Sequence, residues 1–368
     1  ATKDARVNGE GFAEYRYGTG VAAVTIMGGT VHRVFGGSNT KGNVRQTALT
    51  LLEEGSGCSF CVDEAYGCVK SAPMDAEAKI HMACIPGLKA AYGGAEAADI
   101  QGDVTLNITN GTFERVFGGN NISGTIRGSI TVNIEETGCK PIIIGELYGG
   151  GNQAGYSVRG YKKVTEGTSE VWKPRMPEDD LEAGMKGKTF QDPQVNIKSF
   201  TSIGEVYGGG YGEGAVMVGS PTVNINVTAV GTTEAQTYVI TKTVDNETVT
   251  DYASNFDEET ITIDEGKPSE HQVTRPSHVK GKVGAINNVF GGGDAAKVVV
   301  DTHVNIGTES TVDFETDVDD PNTTDVDESA PRNVVGADIR GNVYGGGNEA
   351  EVTGGTNVTI GKEKVTTP

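Results

Sequence analysis

The sequence predicts an all-β fold, a right-handed parallel β-helix of about seven three-strand coils, forming one domain over residues 1–368. Three observations predict it. A short motif of an aliphatic, an aromatic and two or three glycines recurs along the chain, strands of strict apolar–polar alternation recur with it, and glycine is far too common for an ordinary globular domain.

The motif occurs seven times: Val34-Phe35-Gly36-Gly37, Ala91-Tyr92-Gly93-Gly94, Val116-Phe117-Gly118-Gly119, Leu147-Tyr148-Gly149-Gly150, Val206-Tyr207-Gly208-Gly209, Val289-Phe290-Gly291-Gly292 and Val343-Tyr344-Gly345-Gly346. Self-similarity of this kind marks units that cannot bury a face alone and must stack on neighbours. The aromatics are expected to form a file lining a corner of the core.

The alternating strand is clearest at Ile130-Thr131-Val132-Asn133-Ile134. Its period of two puts Ile130, Val132 and Ile134 on one face and Thr131 and Asn133 on the other. The same pattern returns as Leu106-Asn107-Ile108, Val195-Asn196-Ile197, Val223-Asn224-Ile225, Val304-Asn305-Ile306 and Val358-Thr359-Ile360. Stacked coils would pile the aliphatics into an inward ladder and the Asn and Thr side chains into an outward one. Hydrogen bonding between stacked amides is the preferred reading of that outward column, ahead of a ligand- or ice-binding face. Between the motif and this strand, Thr125-Ile126 reads as a further short strand, so a coil takes about 25 residues.

The third observation is the 54 glycines, well above the usual share of about 7%. They cluster at the expected corners, where a chain needs positive φ or a close backbone approach. At ~4.8 Å per coil, seven coils make a rod roughly 35 Å long.

A net charge of −20 argues against nucleic acid or an anionic membrane surface as partner. No apolar run approaches the ~20 residues that span a bilayer. The chain reads as a mature or trimmed product without a signal peptide, and as a section of a longer array or a subunit that stacks end to end.

Four excursions interrupt the coils at about 53–87, 153–192, 226–283 and 307–337, and such projections commonly carry binding. The first holds Cys58, Cys61, Cys68 and Cys84 near His81, with Cys139 further on. Aligning Gly87 with Gly111 places Cys84 inward and His81 outward, which makes them poor co-ligands. One or two disulfides are therefore preferred over free buried thiols, and both over a metal; the pairing stays open. The second interleaves Arg159, Lys162, Lys163, Lys173 and Arg175 with Tyr156, Tyr161 and Trp172. Arg159, Tyr161 and Trp172 are the candidate ligand-binding residues, a ring beside cations suited to an acidic glycan. The competing role for Trp172 is to pin the loop to the rod. The third contains Thr237–Thr241 and Thr248–Thr250, joined through Asp245-Asn246, and reads as a projecting hairpin. The fourth gathers Asp313, Glu315, Asp317, Asp319, Asp320, Asp325, Asp327 and Glu328. Such carboxylates suit Ca²⁺, but without EF-hand spacing a solvated loop is the better reading, and no cofactor is expected.

No HExxH, GxSxG or phosphate-loop motif occurs. The outward strand residues are mostly Asn and Thr rather than the carboxylates a polysaccharide lyase or glycosidase needs, so catalysis is not expected.

The [VL]-[FY]-G-G-G-N corner followed by V-N-I strands resembles the glycine-rich parallel β-helix repeats of large secreted or surface proteins from gut-type anaerobic bacteria, and more loosely the shafts of β-helical adhesins. The resemblance implies an extracellular or surface location and a spacer role, with the projections contacting a glycan, a protein or neighbouring subunits. A β-helical carbohydrate-active enzyme and a filament or phage-fibre component are the alternatives.

Overall fold

A computed structural model describes residues 21–42, 44–53, 59–74, 76–136, 140–176, 190–228, 238–244, 247–253, 258–263, 271–276, 283–312 and 332–362. Among the described residues there is no helix. Most strands fall into two long parallel sheets. The first runs Val21–Ile26, Gln46–Leu52, Ala78–Ala83, Val104–Ile108, Ile130–Glu135, Gln194–Ser199, Thr222–Ile225, Thr302–Ile306 and Thr356–Ile360, side by side in that order. The second runs Gly29–Phe35, Phe60–Tyr66, Gly87–Tyr92, Gly111–Phe117, Ile142–Tyr148, Ser202–Tyr207 and Ala285–Phe290, with Asp338–Ile339 and Val343–Tyr344 both beside the last. Along the chain these strands alternate between the sheets, and each return adds one strand at the same edge. This all-parallel architecture is compatible with a β-solenoid.

The expected third strand of the coil is reduced to single bridges and one two-residue pair, Tyr156–Ser157 with Met217–Val218. Val44, Met74, Ile100, Ile126 and Tyr156 pair in sequence, and Met217, Val298 and Val352 continue the column.

The alternation read from the sequence sets the register. Val104, Leu106 and Ile108 pair with Ile130, Val132 and Ile134, and all six are fully buried. They belong to one aliphatic core that runs from Val34 and Leu49 to Val304 and Ile306. Each such side chain contributes about 1.5–3 kcal/mol on burial.

The aromatic file differs from its expected place. Val116 and Phe117 are consecutive and both buried, but Val116 joins the aliphatic core while Phe117 joins a second, separate cluster. Neighbouring residues of a strand point to opposite faces, so the ring before each glycine pair cannot enter the core that its aliphatic neighbour enters. Phe35, Tyr66, Tyr92, Phe117, Tyr148, Tyr207, Phe290 and Tyr344 stack face to face, with centroids 4.6–5.1 Å apart and planes within 13°. Seven steps of one strand spacing, ~4.8 Å, carry the file roughly 34 Å.

Tyr66 is a rung absent from the seven motif copies, and it corrects the first excursion. Two segments of the span 53–87 are rungs rather than an insertion: Phe60–Tyr66 lies between Gly29–Phe35 and Gly87–Tyr92, and Ala78–Ala83 lies in the first sheet. The rung Ala65-Tyr66-Gly67-Cys68 keeps only one of the two corner glycines, which hid it in the sequence. The file therefore has eight rungs.

The glycines are explained by close approach, not by turn geometry. A Cβ on Gly36, Gly67, Gly93, Gly118, Gly149, Gly208 or Gly291 would sit 2.3–2.6 Å from the carbonyl oxygen of the equivalent glycine in the next rung. None of these seven has positive φ. The same approach lets the ladder continue through the corner, as when Gly118 donates its N–H to Tyr148 O at 2.9 Å. Positive φ is needed elsewhere, at Gly29 (94°) and Gly111 (112°), where the chain passes from the first sheet to the second.

The remaining excursions leave the sheets as short antiparallel pieces. Tyr161–Glu166 pairs with Ser169–Pro174. Tyr238–Val244 pairs with Glu247–Ala253, the hairpin read from the sequence, and a second hairpin, Glu258–Ile263 with His271–Pro276, follows it. In the fourth excursion Arg332–Gly336 joins Thr311–Val312 and Val227–Thr228. The acidic run from Asp313 to Glu328 lies outside the described residues.

Candidate functional site

The outward face of the first sheet is spent on itself. The Asn133 amide donates to Asn107 Oδ1 at 2.8 Å, Asn196 to Asn133 at 2.9 Å, Asn224 to Asn196 at 3.0 Å and Asn305 to Asn224 at 3.0 Å. Each amide has two donors and two acceptor lone pairs, so one donor and one acceptor per rung are committed along the column. This matches the stacked-amide reading.

The second sheet carries a polar column beside the rings. Arg33, Glu64, Ala90, Arg115, Glu146, Glu205 and Asn288 occupy the same register position in successive rungs. The hydroxyl of Tyr66 donates to Glu64 at 2.9 Å and that of Tyr148 to Glu146 at 3.2 Å, each carboxylate lying two residues before its ring. Burial, followed by the neighbouring carboxylate, pushes both phenols well above their usual range. Arg115 bonds Glu146 at 2.8 Å and lies over the Tyr211 ring, and Glu205 accepts from the amides of Asn287 and Asn288 at 3.0 Å. Within this column Arg115 and Glu146 are thus paired with each other, while Arg33 pairs outside it, with Glu96 at 2.8 Å.

The projecting hairpin holds two of the three candidate residues. Tyr161 and Lys163 share a face with their cross-strand partners Pro174 and Trp172. Tyr161 packs against the aliphatic core and its hydroxyl lies 3.4 Å from Asp192. Asp192 also accepts from Ser220 N at 2.8 Å, and burial raises its carboxyl above the ordinary value. Trp172 is half-buried, with the Lys163 ammonium 5.5 Å from its ring centre. Arg159 precedes the hairpin and bonds the Gln101 carbonyl at 2.8 Å and its side-chain oxygen at 2.5 Å. Arg159 and Tyr161 therefore anchor the hairpin to the core of the parallel sheets, and Trp172 stands beyond them with its cation. Lys163 also pairs with Glu170 at 3.0 Å, and Lys173 pairs with Glu166.

Around the cysteines, the expected alignment is corrected. Ala78, Ile80 and Met82 pair with Val104, Leu106 and Ile108, and Gly87 lies opposite Thr112, not Gly111. Cys84 therefore falls past the strand end, with φ 53°, rather than at an inward strand position. His81 does point away from the core, opposite Asn107. Cys84 is disulfide-bonded. Cys61 is a free, exposed thiol and Cys68 a free, fully buried one, raised by burial. Cys58 and Cys139 lie outside the described residues.

Sequence reasoning missed a further group at the first rung of the ring file. Phe35, Arg33 and His32 lie with Lys70 around a cleft of about 450 Å³. The signal available was only the one-rung spacing of basic residues beside a terminal ring.

Comparison with family models, with curated proteins and with solved structures finds no match to this chain.

Proposed function

We propose that the chain winds as a right-handed parallel β-helix and serves as an extracellular or surface-displayed structural rod whose projections contact a glycan, matrix or neighbouring subunits. The observation that carries this reading is the unbroken eight-ring file, with its glycine and asparagine columns in the same register. A chain that repeats one cross-section and commits its outward amides and carboxylates to neighbours one rung away is organised for length and stiffness. The right hand follows from the strong preference of β-crossover-β connections in parallel sheets. The disulfide at Cys84 supports an oxidising compartment. The hairpin bearing Trp172 and Lys163 supplies a ring and a cation midway along an anchored projection, the chemistry of glycan contact.

Glycan arrays and cell-binding assays on the folded protein test the adhesive half, with Trp172→Ala as the matched control. Retained binding to a defined glycan class supports it, and uniformly negative results with a folded protein remove it. Small-angle scattering tests the shaft: a distance distribution of a rod, with a cross-section constant along its length, is expected.

A further inference from the structure

We propose that the cleft at the Phe35 end of the ring file is a binding site for an acidic saccharide, one whose pyranose ring carries a carboxylate. This deepens the adhesive reading and rests on it.

Every interior ring of the file has a ring on each side. Phe35 has Tyr66 at 4.6 Å on one side, and among the described residues no ring stacks on the other. Phe35 lines a cleft together with His32, Arg33, Gly37, Asn39 and Lys70. At about 450 Å³ the cleft is within the usual range for small-ligand sites, ~300–1,000 Å³. An aromatic face of this kind takes the C–H face of a sugar by dispersion and apolar burial.

The polar groups fit the rest of such a ligand. Arg33 Nη1 donates to Glu96 Oε1 at 2.8 Å, and Glu96 is nine-tenths buried. Its second oxygen, Oε2, is buried with no hydrogen-bond partner among the described residues. Held by this buried carboxylate, Arg33 lines the cleft and offers its remaining guanidinium N–H groups to ligand oxygens. Lys70 has no ion-pair partner among the described residues and supplies a charge for a carboxylate. His32 is held by Asp63 at 2.5 Å, and Asp63 also bonds Lys89 at 3.2 Å. Among the described residues the lining carries two cations, Arg33 and Lys70, and no carboxylate, on a chain of net charge −20. An anionic ligand is therefore selected locally.

The test is calorimetric titration of the purified chain with an oligogalacturonate and with the same oligosaccharide after reduction of its carboxylates to alcohols. The acidic form is expected to bind on the order of tenfold more tightly or better, equivalent to ~1.4 kcal/mol. Lys70→Gln should remove most of that preference without moving the thermal midpoint. Phe35→Leu should weaken both sugars. Equal affinity for the two sugars, or an unchanged acidic preference in Lys70→Gln, overturns the assignment. Binding lost in Trp172→Ala but intact in Lys70→Gln places glycan contact on the hairpin: the adhesive reading then stands and this site falls. Absence of any glycan binding removes both.

Discussion

The glycine column makes the sharpest test of the architecture, because the same motif position occurs both inside the stack and at its end. A Cβ on Gly119 would lie 2.7 Å from Gly151 N and 2.9 Å from Gly150 C, all backbone atoms of the next rung. A Cβ on Gly346, the second glycine of the last rung, would meet nothing within 4 Å. Neither position has positive φ, so alanine is conformationally acceptable at both. Gly346→Ala should therefore be neutral or stabilising by about 0.4–1 kcal/mol, through the reduced freedom of the unfolded chain. Gly119→Ala gains the same term but must spread two rungs that are held by backbone hydrogen bonds, including Gly119 N to Gly150 O at 3.0 Å. Overpacking of this kind costs about 1–3 kcal/mol and more where backbone cannot yield. A net loss of about 1–2 kcal/mol is expected for Gly119→Ala. Urea unfolding followed by far-ultraviolet circular dichroism reads the difference as midpoints, which remain usable if repeats unfold in stages. Equal midpoints for the two variants would refute close approach as the reason for these glycines.

Four other outcomes follow from the columns and the buried groups. Asn133→Ala, which removes both a donor to Asn107 and an acceptor for Asn196, should lower stability by about 1–2 kcal/mol in the same assay. Phe117→Ala, at the centre of the ring file, should cost about 3–5 kcal/mol, while Tyr66→Phe, losing contacts to Glu64 and Asn121, should cost about 1 kcal/mol. Thiol labelling with peptide mapping should find Cys61 modified in the native protein and Cys68 only after denaturation. Glu136 is raised above its ordinary value mainly by burial, against the lowering effect of donors from Ile142 N and Thr201. The native state then binds its proton more tightly than the unfolded state, so this group's contribution falls as pH rises from the ordinary value through the raised one. Glu136→Gln keeps an oxygen acceptor for both donors, so its midpoint should match or exceed the parent above that window, and its pH dependence there should flatten.

Much of this molecule is legible in the sequence because its signals are local and repeated. Ile130-Thr131-Val132-Asn133-Ile134 states its own pleat, and five further copies state that the same residue types recur at one level of the stack. The outward amide column follows from that alone. The eighth rung was not legible, because Ala65-Tyr66-Gly67-Cys68 carries one corner glycine and sits among cysteines that suggest an excursion. The register of Cys84 was missed for a related reason: Gly87 resembles Gly111 as a residue type, but the pairing of Gly87 with Thr112 is fixed by neighbouring strands. The candidate residues divide similarly. That Arg159, Tyr161 and Trp172 fall in one basic excursion is readable from the chain, whereas the cross-strand register of Lys163 with Trp172 and the commitment of Arg159 to Gln101, 58 positions away, are not.

By itself the sequence determined the strand class, the parallel repeat and the identity of the columns, since period-two alternation and motif recurrence are properties of the chain read in one dimension. Only the tertiary structure decided which face the ring column takes and what it costs to change any of the columns. Whether a ring enters the aliphatic core or a file of its own, and whether a glycine serves a turn or a 2.5 Å contact, depends on what the next rung places opposite, and that neighbour is 25 to 83 residues away along the chain.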